Sequence, residues 1–379
     1  MICKIDTSTL EQIEEHLNKC SKNFTPPLSS YVDIKEYSNK IYLKSIRLEV
    51  FEGDKLVGLI AYYTNNEEYV WITNISTTTP GKGVAEYLLK ILFKNTHISI
   101  KLEVNKNNER AIKFYSKNKF TQIEEKPNVF VMEHKVRNYN EELKDTSDHK
   151  YNYDFDFDII HGYMIKSFES FFKEGSILEL GSFKGDFTKR LLPYSDEITC
   201  VEASDEAIKI AKDKLKDCNV LFINSLFETV NLSKKYDNII LTHVLEHIDD
   251  SVGLLKRIND EWLSDGGRLF LVCPNANAPS RQIAVKIGII SHNSAITPAE
   301  KEHGHNITYT LDTLERDVKL GGLKVEYRSG IFFKALANFQ WDQLLKTDII
   351  SKEYLDGCYE LGQQYPDLCS SIMLICKKS

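Results

Sequence analysis

The feature that most constrains the fold is a short apolar run, residues 177–180, that breaks directly into a turn bounded by Gly181 and Gly185. The run has the length and apolar character of a buried parallel strand, and helical periodicity resumes after the turn. Glycines allow a tight reversal there, and they also let a ligand approach the backbone. A strand, a glycine turn and a helix in this order predict an open α/β fold, although the turn alone does not select a ligand.

An acidic residue at the end of the next predicted strand narrows the choice of ligand. Strand 198–201 ends in Glu202, about 20 residues past the turn, where α/β folds hold the two hydroxyls of a ribose. A nicotinamide dinucleotide would satisfy this position too. However, the turn reads E-x-G-x-x-x-G from Glu179 and lacks the glycine triplet that fits a pyrophosphate. A nucleoside without phosphate therefore fits better.

The α/β alternation continues to the end of the chain. A predicted helix at 207–215 is followed by strands at 220–223, 239–241 and 268–272, and runs 323–328 and 371–376 read as closing strands. This order resembles the class I S-adenosylmethionine-dependent methyltransferases over roughly residues 155–379. The resemblance implies a Rossmann-like, seven-stranded sheet, with a helical insertion near 333–366.

The same resemblance implies S-adenosylmethionine as cofactor and assigns roles to single residues. Glu179, Gly181 and Gly185 would shape the loop around the methionine moiety, and Glu202 would hold the ribose. Asn224 or Ser225 would lie at adenine N6. Thr242 and His243 would flank the sulfonium.

A competing motif runs from His243 to His247, which matches the H-x-x-E-H pattern of zinc peptidases. That pattern needs both histidines on one face of a helix. His243 follows almost directly on a buried strand, so we expect it on the loop at the strand end. The eight cysteines also show no zinc-ligand spacing. We therefore predict no metal site.

Three histidines are candidates for the general base of a methyl transfer. A hydroxyl acceptor needs a base, whereas a neutral amine does not. His247, His303 and His305 qualify because imidazole titrates near neutrality. Each could instead be a structural histidine that orders its loop. Trp341, Tyr354 and Tyr359 could line an acceptor pocket or simply pack in the core.

The first third of the chain has a different pattern. Runs 46–51 and 56–63 predict an antiparallel hairpin, and a third strand from residue 69 leads through Pro80 into a glycine turn and a helix with an apolar face. Glycines at the start of a helix leave its N–H groups open to an anion such as a pyrophosphate. A plain strand-to-helix turn is the alternative.

The next segment favours the anion site. Strand 98–104 is followed by Asn108 and by A-x-x-F-Y from Ala111, and this order resembles the GNAT acetyltransferases over roughly residues 1–135. The resemblance implies acetyl-CoA as cofactor and Tyr115 as the acid that protonates the leaving thiolate. It places Asn108 on the last motif helix, and it assigns the pyrophosphate loop to Gly81, Lys82, Gly83, Val84 and Ala85.

Composition sets the remaining expectations. A chain of 379 residues predicts two domains, joined here by a polar linker at 136–154. The net charge of -7 argues against nucleic acid, and no apolar run reaches the roughly 18 residues of a membrane span. Scattered cysteines indicate a reduced, cytoplasmic protein.

Together these patterns predict a bifunctional enzyme. It would methylate O or N of a small acceptor, with a nucleotide-linked amino sugar as the leading guess, and acetylate an amine. The alternative makes the GNAT-like region a non-catalytic binding or dimerisation module, because Pro80 stands where that family usually has Gln or Arg and the segment before the loop looks short. A homodimer is left open.

Overall fold

The computed structural model describes residues 2–96, 98–145, 150–151 and 153–379. The chain divides into two compact units between Arg137 and Asn138. Each unit contains one seven-stranded sheet.

The first unit is a mixed α/β unit whose sheet has the order β1-β2-β3-β4-β5-β7-β6. The predicted hairpin is confirmed as β2 and β3, which pair antiparallel and continue into an antiparallel β4. Its elements are β1 (Cys3–Ile5), α1 (Leu10–Cys20), α2 (Ile34–Lys44), β2 (Ile46–Glu52), β3 (Lys55–Tyr63), β4 (Tyr69–Thr77), α3 (Val84–Asn95), β5 (Ser99–Asn105), α4 (Glu109–Lys117), β6 (Thr121–Glu125) and β7 (Val129–His134).

Strands β4 and β5 diverge partway along their length. They pair in parallel only as far as Ile72 and Leu102, whereas the strands themselves continue to Thr77 and Asn105. Beyond this last pair, β4 and β5 therefore form no ladder of hydrogen bonds with each other. A cleft opens between the two strand ends and forms a cavity in this unit.

The second unit has the sheet order β10-β9-β8-β11-β12-β14-β13. Strands β8 to β12 run parallel, and β14 inserts antiparallel between β12 and β13, so the predicted seven-stranded Rossmann-like sheet is confirmed. Its elements are α5 (Tyr139–Glu142), α6 (His161–Phe168), β8 (Ile177–Leu180), α7 (Asp186–Leu191), β9 (Ile198–Glu202), α8 (Asp205–Lys214), β10 (Val220–Asn224), β11 (Tyr236–Thr242), α9 (Ser251–Arg257), β12 (Leu263–Pro274), α10 (Pro279–Lys286), α11 (Pro298–Glu302), α12 (Leu311–Leu320), β13 (Leu323–Phe333), α13 (Asn338–Leu344), α14 (Lys352–Gln364) and β14 (Cys369–Lys378).

The central strands of this sheet are buried on both faces. Leu178 and Leu180 of β8 belong to one apolar core, whereas Ile177 belongs to the core on the opposite face. This alternation follows from the two-residue period of a strand, and burial on both sides explains why the run is apolar throughout. The carboxyl ends of the parallel strands then share one edge, where ligands bind in such folds.

The segment that follows the division belongs to the second unit. Asn140 accepts a hydrogen bond from Ser204 Oγ at 2.7 Å and donates one to Asp205 at 2.9 Å. The backbone carbonyl of Glu142 accepts a hydrogen bond from His303 at 3.1 Å. The predicted linker at 136–154 therefore differs from the structure from Asn138 onward, because its polar side chains bind protein groups. Residues 146–149 and 152 of that prediction lie outside the described residues.

Two global expectations can be compared directly with this fold. None of the helices in the described part of the chain combines the length and apolar character needed to cross a bilayer. All eight cysteines are free thiols.

Candidate functional site

The predicted glycine turn of the second unit joins β8 to α7. Gly181 has φ 82° and Gly185 has φ 78°, a region that side chains with a Cβ rarely adopt. A Cβ on Gly181 would lie 2.4 Å from Val244 Cγ2. Gly181 thus lets the turn close against the loop that follows β11.

Glu202 lies at the end of β9 and faces the same turn. Its carboxylate accepts hydrogen bonds from the backbone N–H groups of Phe183 and Ser204, each at 2.9 Å. Burial raises the pKa of Glu202, while these N–H groups act in the opposite direction. The carboxylate is held in one orientation, and each oxygen keeps a second lone pair for a hydroxyl such as those of a ribose.

Asn224 and Ser225 continue this edge of the site at the end of β10. Both hydrogen bonds from the Asn224 amide go to backbone carbonyls, those of Glu202 at 3.1 Å and Ala203 at 3.0 Å. The Ser225 N–H also donates to the Glu202 carbonyl, at 3.1 Å. With its donors engaged, the amide of Asn224 would meet an amine such as adenine N6 through its carbonyl oxygen.

Glu179 is a buried carboxyl group beside the turn, only 1% exposed. One of its oxygens accepts hydrogen bonds from Thr188 at 2.6 Å and Cys200 at 3.4 Å. The other, Oε1, has no partner among the described residues. Burial raises the pKa of Glu179 to about 7. A buried acceptor without a donor indicates room for a ligand group that donates hydrogen bonds.

Thr242 and His243 lie at the end of β11, as predicted. His243 has φ 53°, and its Nε2 lies 3.0 Å from Ser371 Oγ. Burial, followed by the charges of His161, His305 and Lys334, lowers the pKa of His243 to about 3. His247 sits on a separate 3₁₀ turn, so the two histidines of H-x-x-E-H do not share a helical face and the zinc-peptidase arrangement is absent.

Two basic residues that were not predicted from the sequence, His161 and Lys334, also act on His243. Burial lowers the pKa of His161 to about 3, with a contribution from Arg190. Lys334 is only 7% exposed, lies 4.9 Å from the Phe155 ring and donates to Asn338, and burial lowers its pKa to about 8. Neither residue belongs to a motif, so no sequence signal identifies them.

The structure brings together two of the three predicted base candidates. The rings of His247 and His305 lie 4.4 Å apart, and ligand atoms of both, with a carboxylate oxygen of Glu246, fall within 4.8 Å of one another. His303 is instead 5% exposed, bonded to the Glu142 carbonyl and packed against Tyr151. These contacts indicate that His303 orders its loop.

Of the three aromatic candidates for an acceptor pocket, two are packed in the core and one is exposed at the surface. Trp341 is 2% exposed and stacks on Phe155 at 5.1 Å. Tyr359 is also buried, with its hydroxyl 3.1 Å from Ser167 Oγ. Tyr354 is mostly exposed. None of these contacts requires a ligand.

The cleft between β4 and β5 of the first unit forms a cavity of about 930 Å³. Four members of the predicted pyrophosphate loop line it, as do the two predicted residues at the cap and in the body of helix α4: Gly81, Gly83, Val84, Ala85, Asn108 and Tyr115. Lys82 is exposed and does not belong to the lining. The first-turn N–H groups of α3, which have no acceptor within the helix, therefore lie at the cavity wall.

Tyr115 and Asn108 differ in what they can do there. Tyr115 is 7% exposed between Phe114 and Phe120, and burial raises the pKa of its hydroxyl. It is therefore protonated near neutral pH and can act as a proton donor. Asn108 caps α4 by accepting a hydrogen bond from the Ala111 N–H at 3.1 Å, a structural task.

A polar chain that sequence reasoning missed also reaches this cavity. Asn74 and Ser76 line it, the Ser76 hydroxyl donates to Asn74 at 2.7 Å, and His16 Nε2 lies 2.9 Å from Ser76 Oγ. Asn74 is 3% exposed, and its Nδ2 has no partner among the described residues. Polar residues at alternate positions of an otherwise apolar strand were the available signal.

The two halves of the chain match known families. Residues 157–328 match the methyltransferase domain family, and residues 10–120 match the acetyltransferase (GNAT) family. The chain carries one domain of each family. The predicted cofactors, S-adenosylmethionine and acetyl-CoA, are those of these families.

Curated relatives match over a limited part of the chain. Nodulation protein S of Azorhizobium caulinodans is 34% identical over 99 residues, which cover 25% of this chain and 48% of that protein. An uncharacterized methyltransferase of Alkaliphilus oremlandii is 29% identical over 100 residues, 26% of this chain and 45% of that protein. The chain thus spans about half the length of the curated relatives it matches.

Two similar solved structures are described as methyltransferases. An S-adenosylmethionine-dependent methyltransferase from Clostridium acetobutylicum aligns with a TM-score of 0.39 and 12% identity, over 60% of this chain and 93% of that chain. The N-methyltransferase NodS from Bradyrhizobium japonicum aligns with a TM-score of 0.36 and 14% identity, over 57% and 93%.

Proposed function

We propose that this GNAT and methyltransferase chain is a bifunctional enzyme. Its second domain transfers a methyl group from S-adenosylmethionine to O or N of a small acceptor, and its first domain transfers an acetyl group from acetyl-CoA to an amine. The observation that carries the proposal is the edge of the second sheet. There a glycine turn, a fixed Glu202 carboxylate and a buried Glu179 oxygen without a partner meet.

Methyl transfer is an in-line displacement. A lone pair of the acceptor attacks the methyl carbon, the carbon–sulfur bond breaks, and its electron pair returns to sulfur to give neutral S-adenosylhomocysteine. The acceptor loses its proton to a base or to water. The protein's part is to align the two reactants and to exclude water.

Electrostatics around the sulfonium position support this assignment. The low pKa of His243 keeps that ring neutral near neutral pH. A neutral ring adds no positive charge of its own beside the sulfonium. Glu202 would bind the ribose, and Glu179 would accept from the amino group of the methionine moiety.

For acetyl transfer, the amine nitrogen attacks the thioester carbonyl and the carbon–sulfur bond breaks. Tyr115 would donate its proton to the leaving thiolate, and the amine proton would pass to water. The glycine turn before α3 would hold the pyrophosphate at the helix N-terminus. Glu67, Glu68 and Tyr69, at the start of β4, do not line the cavity.

The test uses the purified full-length chain with labelled S-adenosylmethionine, acetyl-CoA and a panel of amines, amino-sugar nucleotides, other hydroxyl compounds and peptides. We expect both labels on small acceptors. Label on peptides alone would contradict a small-molecule function. Methylation without acetylation across the panel would favour the alternative below.

The second candidate function keeps the methyltransferase and makes the first domain a non-catalytic binding or dimerisation module. Pro80 and the position of Lys82 outside the cavity lining favour it. Calorimetry of the full-length chain with acetyl-CoA separates the two candidate functions, with S-adenosylmethionine as internal control. Binding of S-adenosylmethionine without binding of acetyl-CoA would support the module. A cytoplasmic location, the lack of nucleic-acid partners and a homodimer stay predictions.

A further inference from the structure

We propose that Glu246, His247 and His305 form a binding site for a divalent transition-metal ion at the carboxyl edge of the second sheet. Each residue offers one ligand atom, and the three atoms lie within 4.8 Å of one another. The site goes against the sequence-based expectation of no metal. That expectation considered His243 and His247 as the pair of ligands, as in H-x-x-E-H. His305 lies in a distant part of the chain and is not part of that motif.

The spacing of the three atoms suits a metal ion. Atoms no more than 4.8 Å apart lie within about 2.8 Å of a common centre. Metal–nitrogen and metal–carboxylate bonds are roughly 2.0–2.2 Å long, and small side-chain rotations would bring the three atoms to that distance from an ion. The rings of His247 and His305 are inclined at 70° to each other, with centroids 4.4 Å apart. Inclined rings can direct two nitrogens at one point, which stacked rings cannot do.

Glu246 supplies an independent observation that a ligand belongs here. Its side chain is 1% exposed, and its Oε2 has no hydrogen-bond partner among the described residues. A buried carboxylate oxygen without a donor is costly, so native proteins supply a donor, a water molecule or a cation. Two imidazoles beside that oxygen make a cation the fitting choice.

The backbone around the three residues is held in place before any ion binds. The Asn306 N–H donates to the Glu246 carbonyl at 2.8 Å, and the Asn306 side chain donates to the His247 carbonyl at 2.9 Å and to Asp249 at 2.8 Å. Gly304, with φ 82°, provides the reversal that precedes His305. These contacts join two distant segments at the point where the ligands meet, as outer-sphere partners of metal sites do.

The donor set indicates the class of ion. Two imidazoles and one carboxylate suit Zn²⁺, Mn²⁺, Fe²⁺ or Co²⁺, whereas Mg²⁺ and Ca²⁺ prefer all-oxygen sites. Three protein ligands leave at least one coordination position open, which is typical of catalytic and not of structural sites. The open position can take an oxygen atom of a substrate.

A metal here narrows the acceptor class, a step that rests on the proposed methyl transfer. His243, the residue assigned to the sulfonium, directly follows β11, and the turn that carries Glu246 and His247 comes next in the chain. An acceptor hydroxyl bound to the ion would lose its proton to water more readily, because a metal ion stabilises the resulting alkoxide. The alkoxide oxygen would then form the new bond to the methyl carbon as the carbon–sulfur bond breaks. We therefore assign a hydroxyl compound as the methyl acceptor.

Metal binding is tested first, without reference to activity. The full-length chain is stripped with a chelator and titrated calorimetrically with Zn²⁺, Mn²⁺ and Co²⁺, and the Co²⁺ form is examined by visible absorption. We expect one ion per chain. His305→Ala and Glu246→Gln should weaken binding by more than the roughly 10- to 100-fold that loss of an outer-sphere partner costs. His292→Ala, at an exposed histidine elsewhere in the same unit, should bind as the wild type does.

S-adenosylmethionine affinity serves as the folding control for each variant. If His305→Ala keeps cofactor affinity and loses the ion, the proposal is supported. Stoichiometric binding that survives in His305→Ala and Glu246→Gln would overturn it, as would the absence of binding by all three ions. Because binding is measured apart from turnover, an inactive chain that holds the ion would count against the methyltransferase proposal alone. Methylation of hydroxyl compounds at an unchanged rate in the stripped chain would refute the assigned role in catalysis.

Discussion

Two glycine turns in this chain have nearly the same backbone and opposite surroundings. Gly81 has φ 83° and Gly181 has φ 82°, and each turn ends in a second glycine, Gly83 or Gly185, that caps a helix in the left-handed region. A Cβ on Gly81 would meet nothing within 4 Å, whereas one on Gly181 would lie 2.4 Å from Val244. The first turn borders an open cavity, and the second is packed against its own protein.

The comparison of Gly81 and Gly181 distinguishes two reasons why a turn requires glycine. Backbone conformation requires glycine in both turns, because φ near +80° strains any residue with a Cβ. Close packing adds a second requirement only at Gly181. Glycine turns of similar sequence can thus lie open in one domain and be packed against their own protein in another.

The largest expected effect comes from Gly181→Val. The positive φ costs about 1–2 kcal/mol and overpacking against Val244 about 1–3 kcal/mol, so the second unit should lose several kcal/mol and bind no S-adenosylmethionine. Gly81→Val shares the φ strain without the steric overlap. Calorimetry with each cofactor and urea unfolding of both variants measure the contrast. Acetyl-CoA binding should survive in Gly181→Val, and equal losses of stability in the two variants would erase the distinction between the turns.

The next effect tests whether the open cavity beside the first turn is an active site. Tyr115→Phe removes the proposed proton donor, and acetyl transfer should fall by about 10²–10⁴-fold with acetyl-CoA affinity kept. Steady-state rates and calorimetry measure the two quantities. Tyr87→Phe changes the same group outside the cavity lining and should leave the rate unchanged. An unaffected Tyr115→Phe rate would assign the tyrosine to packing only.

A smaller effect tests the proposed contact between Glu202, beside the Gly181–Gly185 turn, and the ribose of the cofactor. Glu202→Gln replaces a charged acceptor of ribose hydroxyls by a neutral amide, and hydrogen bonds to charged groups contribute about 1.5–3 kcal/mol. We expect S-adenosylmethionine affinity to fall by roughly 10- to 100-fold in calorimetric titration. Glu206→Gln, an exposed carboxylate in the first turn of α8, is the matched control. Similar losses in both variants would indicate a general charge effect and not a ribose contact.

The smallest effect is a pH dependence confined to the second unit. The pKa of Glu179 is raised from 4.5 to about 7, so the folded state favours its protonated form. The stability from this group is fully present below 4.5 and is lost as pH rises through about 7, with a slope of at most about 1.4 kcal/mol per pH unit. Glu179→Gln should be less pH-dependent in urea unfolding. An identical pH profile for the variant would mean that Glu179 is ionised at no cost.

Local patterns were sufficient for part of the site. Glu202 and the glycine turns follow from strand, turn and helix order, because parallel strands end at a common edge. Tyr115 follows from its motif, and the structure places it at the cavity. These predictions needed only neighbouring residues, and geometry common to the fold supplied the rest.

Other parts depend on contacts that no local pattern encodes. His303 and His305 are two positions apart on one loop, and the hydrogen bonds of Asn306 decide which of them meets His247. Lys334 reaches the neighbourhood of His243 from the end of another strand. The polar residues after Arg137 suggested a solvated linker, yet their partners, such as Ser204, lie far along the chain.

The contacts of Asn140 bear on where the second unit begins. Because Asn138 onward already belongs to the methyltransferase unit, that unit brings its own leading segment, held at the helix cap next to Glu202. The boundary between the two units therefore falls after Arg137 and not within the polar stretch that follows it. Exchange of the first domain at this junction should preserve the contacts of Asn140 with Ser204 and Asp205, just past the end of β9.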